Sequence, residues 1–173
     1  LAVSGTVNDL LMKGARPCVL SLGLIIEEGF PMAHLERIIE SVRRTCNRAG
    51  VRIVTGDTKV VGKGEADGVY INTAGVGYIM PGVNVSGANA RHGDAVIVSG
   101  SIGRHGVAVM MERNGLHLRG PIRSDAMPLT HVVPPLLERF PGAVRVLRDP
   151  TRGGLAATLN EIASASGVSI VLT

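Results

Sequence analysis

The 173-residue chain is 45% hydrophobic and only 18% charged, which excludes a disordered segment and predicts a real core. Aromatic residues make up 2% and there is no Trp, which argues against the stacking platforms of single-strand nucleic-acid binders. The net charge of +4 is modest and scattered, with one Arg pair at 43–44, so no nucleic-acid groove is supported.

The chain opens "LAVSGTVND" without a Met and already inside patterned sequence, and is expected to be part of a longer protein. Residues 1–13 read as a helix with Leu10, Leu11 and Met12 on its apolar face, ending at Gly14. "PCVLSLGLII" (17–26) is apolar on both faces and predicts a buried strand. In 32–49, Met32, Leu35, Ile39, Val42, Cys46 and Ala49 recur at helical spacing, with Pro31 as the start signal and Gly50 as the stop. "VRIVT" (51–55) predicts a strand that ends in a tight turn at Gly56, and 68–80 predicts a further strand.

From Pro81 to Gly93 the composition turns to Gly, Asn, Pro and Ser, and here the reading sets a domain boundary. Lobes at 1–85 and 93–173 follow, the first expected to lack its start and the second its end, each with helices on one face of a sheet. In the second lobe "DAVIVSG", "VRVL" and "VSIVL" predict strands. "HGVAVMMERNG" predicts a helix closed by Asn114-Gly115, and 154–166 another; 116–128 reads mostly as loop. Pro134-Pro135 makes a helix in "LTHVVPPLLERF" start or kink there. The alternation of strands and helices predicts an α/β or α+β fold.

Chemistry-bearing residues fall in three stretches. "TVNDLLMKGA" offers Asn8 and Asp9; "TGDTKVV" offers Asp57, Thr58 and Lys59; "RDPTRGGLAATLNE" offers Asp149, Arg152, Gly153, Gly154, Asn160 and Glu161. Carboxylates for a hard cation, cations for phosphate oxygens and a Gly-Gly pair at a helix start are what a metal–triphosphate site requires. The alternative for the last loop is a plain Asp-Pro turn before a helix, and for Asp9 and Glu161 a solvated helix surface. No P-loop or kinase motif is present, and the "GSIGRHG" glycines do not have dinucleotide-fingerprint spacing. His105 in that stretch is a capping or functional residue; His34, His117 and His131 carry no signal. Ser99, Ser101 and Ser124 lack a convincing His/Asp partner set for a nucleophilic triad. Cys18 and Cys46 read as buried free thiols of a reducing cytoplasm, without the spacing of a zinc site, and no run is long enough to span a membrane.

Taken together, "VSGTVNDLLMKGA", "GVRIVTGDTKVV", "INTAGVG", "SGSIGRHGVAV" and "RDPTRGGLAATLNEIA" resemble the HypE family of hydrogenase maturation proteins. That family belongs to the ATP-dependent superfamily of aminoimidazole ribonucleotide synthetase and selenophosphate synthetase. The resemblance implies a two-lobed PurM-like fold, cytoplasmic action, ATP with Mg²⁺, and homodimers formed through the N-terminal lobe. As partners it implies the carbamoyltransferase HypF and the HypC–HypD complex, with no nucleic acid and no membrane. The implied reaction is ATP-dependent dehydration of a C-terminal cysteine thiocarboxamide to thiocyanate, a source of cyanide ligands for the iron of [NiFe]-hydrogenase.

By the same resemblance Asp9, Asp57 and Asp149 are assigned to Mg²⁺ and phosphate, and Lys59 to the transferring phosphoryl group. Asn8, Thr58, Arg152, Gly153, Gly154 and Asn160 are assigned to the nucleotide, and Glu161 or His105 to proton transfer. Asp57, Lys59 and Asp149 are expected to serve one ATP–Mg²⁺ site. The family's acidic N-terminal loop is expected upstream of Leu1, and its cysteine-ended tail beyond Thr173; neither Cys18 nor Cys46 matches that cysteine. The piece alone is therefore expected to be inactive. The rival readings are a selenophosphate synthetase-like or thiamine-monophosphate kinase-like enzyme, or a non-catalytic nucleotide-binding scaffold for maturation partners.

Overall fold

A computed structural model describes residues 1–115 and 122–172; His117 and the start of the 116–128 stretch lie outside the described residues. The chain divides into two compact units, Leu1–Asn84 with Pro128–Val144, and Val85–Met127 with Arg145–Thr173. The change of unit after Asn84 lies inside the Gly/Asn/Pro stretch at 81–93. Unlike the contiguous lobes of the sequence reading, the segment 128–144 belongs with the first unit.

In the first unit, α1 (Ala2–Met12) leads through Gly14 into the long strand β1 (Ala15–Glu27). α2 (Met32–Ala49) then returns the chain to β2 (Arg52–Val61), parallel to β1, and β3 (Val69–Ile79) completes the sheet antiparallel to β1. The strand order is β2-β1-β3, so the first strand in sequence is central. A parallel pair requires a crossover, and α2 supplies it. That helix spans the predicted residues: Pro31 precedes it in extended conformation, and Gly50 ends it at φ 69°, where Val51 N–H donates to the Cys46 carbonyl.

α1 lies over β1 and β3. Val3, Val7 and Leu11 of α1 and Leu20, Leu24 and Ile26 of β1 are buried, with Val7 and Leu11 fully inaccessible. Burying a side chain of this size contributes about 1.5–3 kcal/mol. Gly75 permits the close approach: a Cβ there would stand 2.7 Å from Leu20 Cδ2, 2.9 Å from Leu10 Cδ1 and 3.0 Å from Thr6 Cγ2. Beside it, Thr6 and Thr73 hydroxyls lie 2.7 Å apart, and Thr73 Oγ1 donates to the Ala2 carbonyl at 3.0 Å, so the polar atoms of this contact are paired. α4 (Val133–Arg139) adds Val133 and Leu137 to the core, starting at its prolines as their missing N–H and fixed φ dictate.

Within the single chain β1 is covered on one face. Leu20, Leu22, Leu24 and Ile26 face α1, whereas the alternate residues Val19, Ser21, Gly23 and Ile25 stay partly open. The sheet has one helical layer and one open face.

In the second unit α3 (Arg104–Asn114) ends at Gly115 and α5 (Gly154–Ser166) at Gly167, both glycines left-handed and both helices as read from sequence. The predicted strands at "DAVIVSG", "VRVL" and "VSIVL" are corrected: none is assigned to a strand. A strand exists by pairing its N–H and C=O groups with a neighbour, and β-branched composition supplies the propensity without the partner. Isolated long-range bonds stand in place of a ladder: Ser86 N–H donates to the Arg145 carbonyl at 3.1 Å, and the Arg145 guanidinium pairs with Asp94.

Candidate functional site

The largest revision concerns "TGDTKVV". No turn follows Val54–Thr55; β2 continues through Gly56, Asp57, Thr58 and Lys59 to Val61. Gly56 is needed for a different reason than tight turning. A Cβ at that position would lie 2.5 Å from the Leu22 carbonyl oxygen, so glycine lets β2 approach β1 closely.

Strand geometry then sorts the side chains. Asp57 is the register partner of Gly23 and Lys59 of Ile25, so both belong to the open face. Thr58 pairs with Leu24 and belongs to the opposite face, the α1 side, where it is itself exposed; it is separated from the two residues it was grouped with. Its N–H donates to Asp57 Oδ1 at 2.9 Å, which helps hold the carboxylate. Across β1, Asn72 is the other neighbour of Gly23 and Tyr70 the other neighbour of Ile25. The open face therefore carries two successive rows, Asn72–Gly23–Asp57 and Tyr70–Ile25–Lys59. Gly23 leaves its row without a central side chain, and a Cβ there would meet only Asn72, at 3.9 Å. Sequence reading overlooked Asn72 and Tyr70; the period-two alternation of "VYINTAGVGYI" was the available signal.

On α1, Asp9 is exposed, while Asn8 is half-buried and its Oδ1 accepts a hydrogen bond from Leu129 N–H at 2.9 Å. Asn8 thus ties α1 to the segment that contains α4.

In the second unit, Gly153 and Gly154 both take positive φ, 82° and 63°, at the start of α5. A Cβ on Gly153 would stand 2.6 Å from that of Ala157, so both backbone conformation and space require glycine. The Gly154 N–H donates to the Thr151 carbonyl at 3.0 Å; it closes this turn and is not presented to an anion as the sequence reading expected. Asp149 is half-buried and Arg152 exposed. Glu161 pairs with Arg148 at 2.5 Å, joining the helix to the start of the loop, and Asn160 Nδ2 donates back to the Ala156 carbonyl at 2.9 Å. His105, in the first turn of α3, lies with Nδ1 2.8 Å from Ser124 Oγ. Ser124, read from sequence as lacking a triad partner set, lies against this histidine 19 residues away.

Among the described residues no three His, Cys, Asp or Glu side chains gather to hold a metal by themselves. Mg²⁺ carried on nucleotide phosphates takes only one or two protein carboxylates, and the exposed Asp57 carboxylate on the open face fits that need. Cys46 is buried, and burial pushes its thiol pKa up; Cys18 is half-buried, and neither forms a disulfide. No helix among the described residues is long and apolar enough to cross a membrane. An open groove of about 840 Å³ runs along α2 between Phe30 and Arg44 and contains none of these residues.

The sheet with its helical layer and the Gly-Gly helix start belong to a known class. The chain belongs to the AIR synthase related protein family: residues 1–79 match the model of its N-terminal domain and 91–173 that of its C-terminal domain. Within that class it is similar to carbamoyl dehydratase HypE. It is 55% identical over 172 residues to HypE of Cupriavidus necator, covering 99% of this chain and 49% of the relative. It is 54% identical to HypE of Azotobacter vinelandii, covering 99% and 50%. The chain spans about half the length of the curated relatives it matches. Among solved structures, hydrogenase maturation protein HypE in complex with ATP superposes with a TM-score of 0.92 at 52% identity, over 95% of this chain and 49% of that one. HypE in a HypE–HypF complex gives 0.93 at 51%, over 96% and 54%.

Proposed function

We propose that the protein of which this chain is a part uses ATP to dehydrate a carbamoylated C-terminal cysteine to a thiocyanate, supplying cyanide ligands for [NiFe]-hydrogenase iron. The observation that carries this reading is the pair Asp57 and Lys59, a carboxylate and an ammonium in adjacent rows of one open sheet face. It is supported by relatives named carbamoyl dehydratase and by one solved with ATP.

An amide oxygen does not leave as hydroxide. Transfer of the terminal phosphoryl group of ATP to that oxygen converts it to a phosphate ester; loss of both nitrogen protons then expels phosphate and forms the C≡N bond. The products are thiocyanate, ADP and phosphate, and the amide oxygen ends in the phosphate. Bound Mg²⁺ would neutralise triphosphate charge. Asp9, Asp57 and Asp149 are the carboxylates for the Mg²⁺–phosphate unit, and the Lys59 ammonium offsets charge on the transferring group. Asn8, Arg152, Gly153 and Asn160 contribute nucleotide contacts, with Arg152 the phosphate cation among them. His105 or Glu161 accepts the nitrogen protons.

The end of the open sheet face away from Asp57 and Lys59, with Val76 and Tyr78 exposed, is proposed as the homodimer surface. HypF is proposed as the carbamoyl-supplying partner, in line with a relative solved as a HypE–HypF complex, and HypC–HypD as the acceptor of the product. The protein acts in the cytoplasm.

The test is to incubate the full-length carbamoylated protein with ATP and Mg²⁺ and follow the tail peptide by mass spectrometry. Loss of one water from the tail with matching ADP release is expected. A carbamoyl tail left intact while ATP is unconsumed would favour a nucleotide-binding scaffold and overturn the proposal.

A further inference from the structure

The contact between His105 and Ser124 can run in either direction. A serine hydroxyl offers one donor and two acceptor lone pairs. Ala126 N–H donates to Ser124 Oγ at 3.1 Å and occupies one lone pair. The hydroxyl proton and the second lone pair remain, and the neighbour at 2.8 Å is His105 Nδ1. When Nδ1 is bare, the hydroxyl donates to it; when Nδ1 carries a proton, Oγ accepts from it. Rotation about one C–O bond matches either state without moving the ring. Ser124 therefore holds the imidazole in place in every protonation state, and Nε2 is left as the nitrogen that exchanges protons.

The two residues come from separate elements. His105 is in the first turn of α3, which follows the left-handed Gly103, and Ser124 sits in the irregular stretch after position 121. Their contact joins that stretch to the helix. Ala126 N–H fixes the hydroxyl oxygen from its other side, so the chain Ala126 N–H, Ser124 Oγ, His105 Nδ1 is anchored at one end by backbone.

We infer that Ser124 is a positioning residue for His105, holding Nδ1 so that Nε2 is presented for proton transfer in the dehydration. This rests on the proposed role of His105 in that reaction. Serine is suited to the task where a carboxylate is not: a carboxylate only accepts, and so would fix a single tautomer.

The experiment uses the full-length protein with ATP, Mg²⁺ and its carbamoylated tail, comparing the wild type with Ser124→Ala, Ser124→Thr and His105→Gln. Two readouts are taken: the ¹⁵N resonances of the His105 ring, which report tautomer and hydrogen bonding, and kcat with KM for ATP. Ser124→Ala is expected to move the Nδ1 resonance and to lower kcat about ten- to a hundredfold, as loss of orientation does, with KM unchanged. Ser124→Thr, which keeps the hydroxyl, is expected to restore both. In the His105→Gln background, Ser124→Ala is expected to add no further loss, because the two act as one unit. An unmoved Nδ1 resonance and full kcat in Ser124→Ala, with His105→Gln inactive, would overturn the inference and leave the role of His105 standing. Full kcat in His105→Gln would overturn the role of His105 and the positioning role with it, even if Ser124→Ala moves the resonance.

Discussion

Asp57 and Gly23 are register partners across the parallel β1–β2 ladder, so the carboxylate stands beside a position with no side chain. Asp57→Asn keeps the shape of that row and removes the charge. In the full-length protein it is expected to lower ATP turnover about 10²–10³-fold, the scale of losing one charge-stabilising group. The circular dichroism spectrum and thermal midpoint should match the wild type, because the side chain is exposed. Near-wild-type turnover would remove Asp57 from the proposed site.

Gly56→Ala tests the revised role of that glycine. The new methyl group would meet the Leu22 carbonyl oxygen, a backbone atom that cannot swing aside, so β2 must move away from β1. A loss of about 1–3 kcal/mol in unfolding free energy is expected by urea denaturation. A variant as stable as the wild type would show that the strands do not approach this closely.

Glu27 links the end of β1 to the β2–β3 connection: its carboxylate accepts from Gly64 N–H at 2.6 Å and Gly68 N–H at 2.9 Å. These two backbone bonds, Gly64 first, hold its pKa below the ordinary carboxylate value. A pKa depressed in the folded state gives stability that is present above the unfolded-state value, about 4.3, and is lost as pH falls through the lower folded value. Glu27→Gln should therefore lower the thermal midpoint at neutral pH, and the gap should close as pH drops below that window. A gap that persists unchanged at low pH would rule out the ionic origin.

Leu11 is fully inaccessible between α1 and the sheet. Leu11→Ala is expected to cost about 2–5 kcal/mol, the range for a buried leucine replaced by alanine. Chemical denaturation of the full-length protein measures it; a cost under about 1 kcal/mol would mean the core closes over the cavity.

Val76 and Tyr78, 61% and 73% exposed, share the open sheet face with Asp57. Val76→Asp puts a charge where the proposed dimer would be dry, and sedimentation velocity should show the full-length dimer shifting to monomer. A wild type that already sediments as a monomer at high micromolar concentration would dismiss the surface.

The helices were legible in the sequence because their signals are local. Pro31 and Gly50 bracket α2, Asn114-Gly115 ends α3, and Gly153-Gly154 opens α5, each through backbone preferences that act within a few residues. Asp9, Asp57, Lys59 and Asp149 could be named from sequence as candidates, since that rests on residue type and motif. Strands are different, because a strand is completed by residues far away in the chain. The run at Val96–Val98 has the same β-branched composition as "VRIVT", yet only the latter found a partner in β1. Partnering also decided that β2 runs on past Gly56, and so which face each of its side chains joins. Asp57 and Lys59 fell on the open face and Thr58 on the α1 side by register, a quantity set by β1. The same holds for His105 and Ser124, whose contact spans 19 residues and depends on how an irregular stretch returns to α3. Composition and local spacing determined the helices and the candidate residues; long-range pairing alone decided which runs became strands and which side chains share a surface.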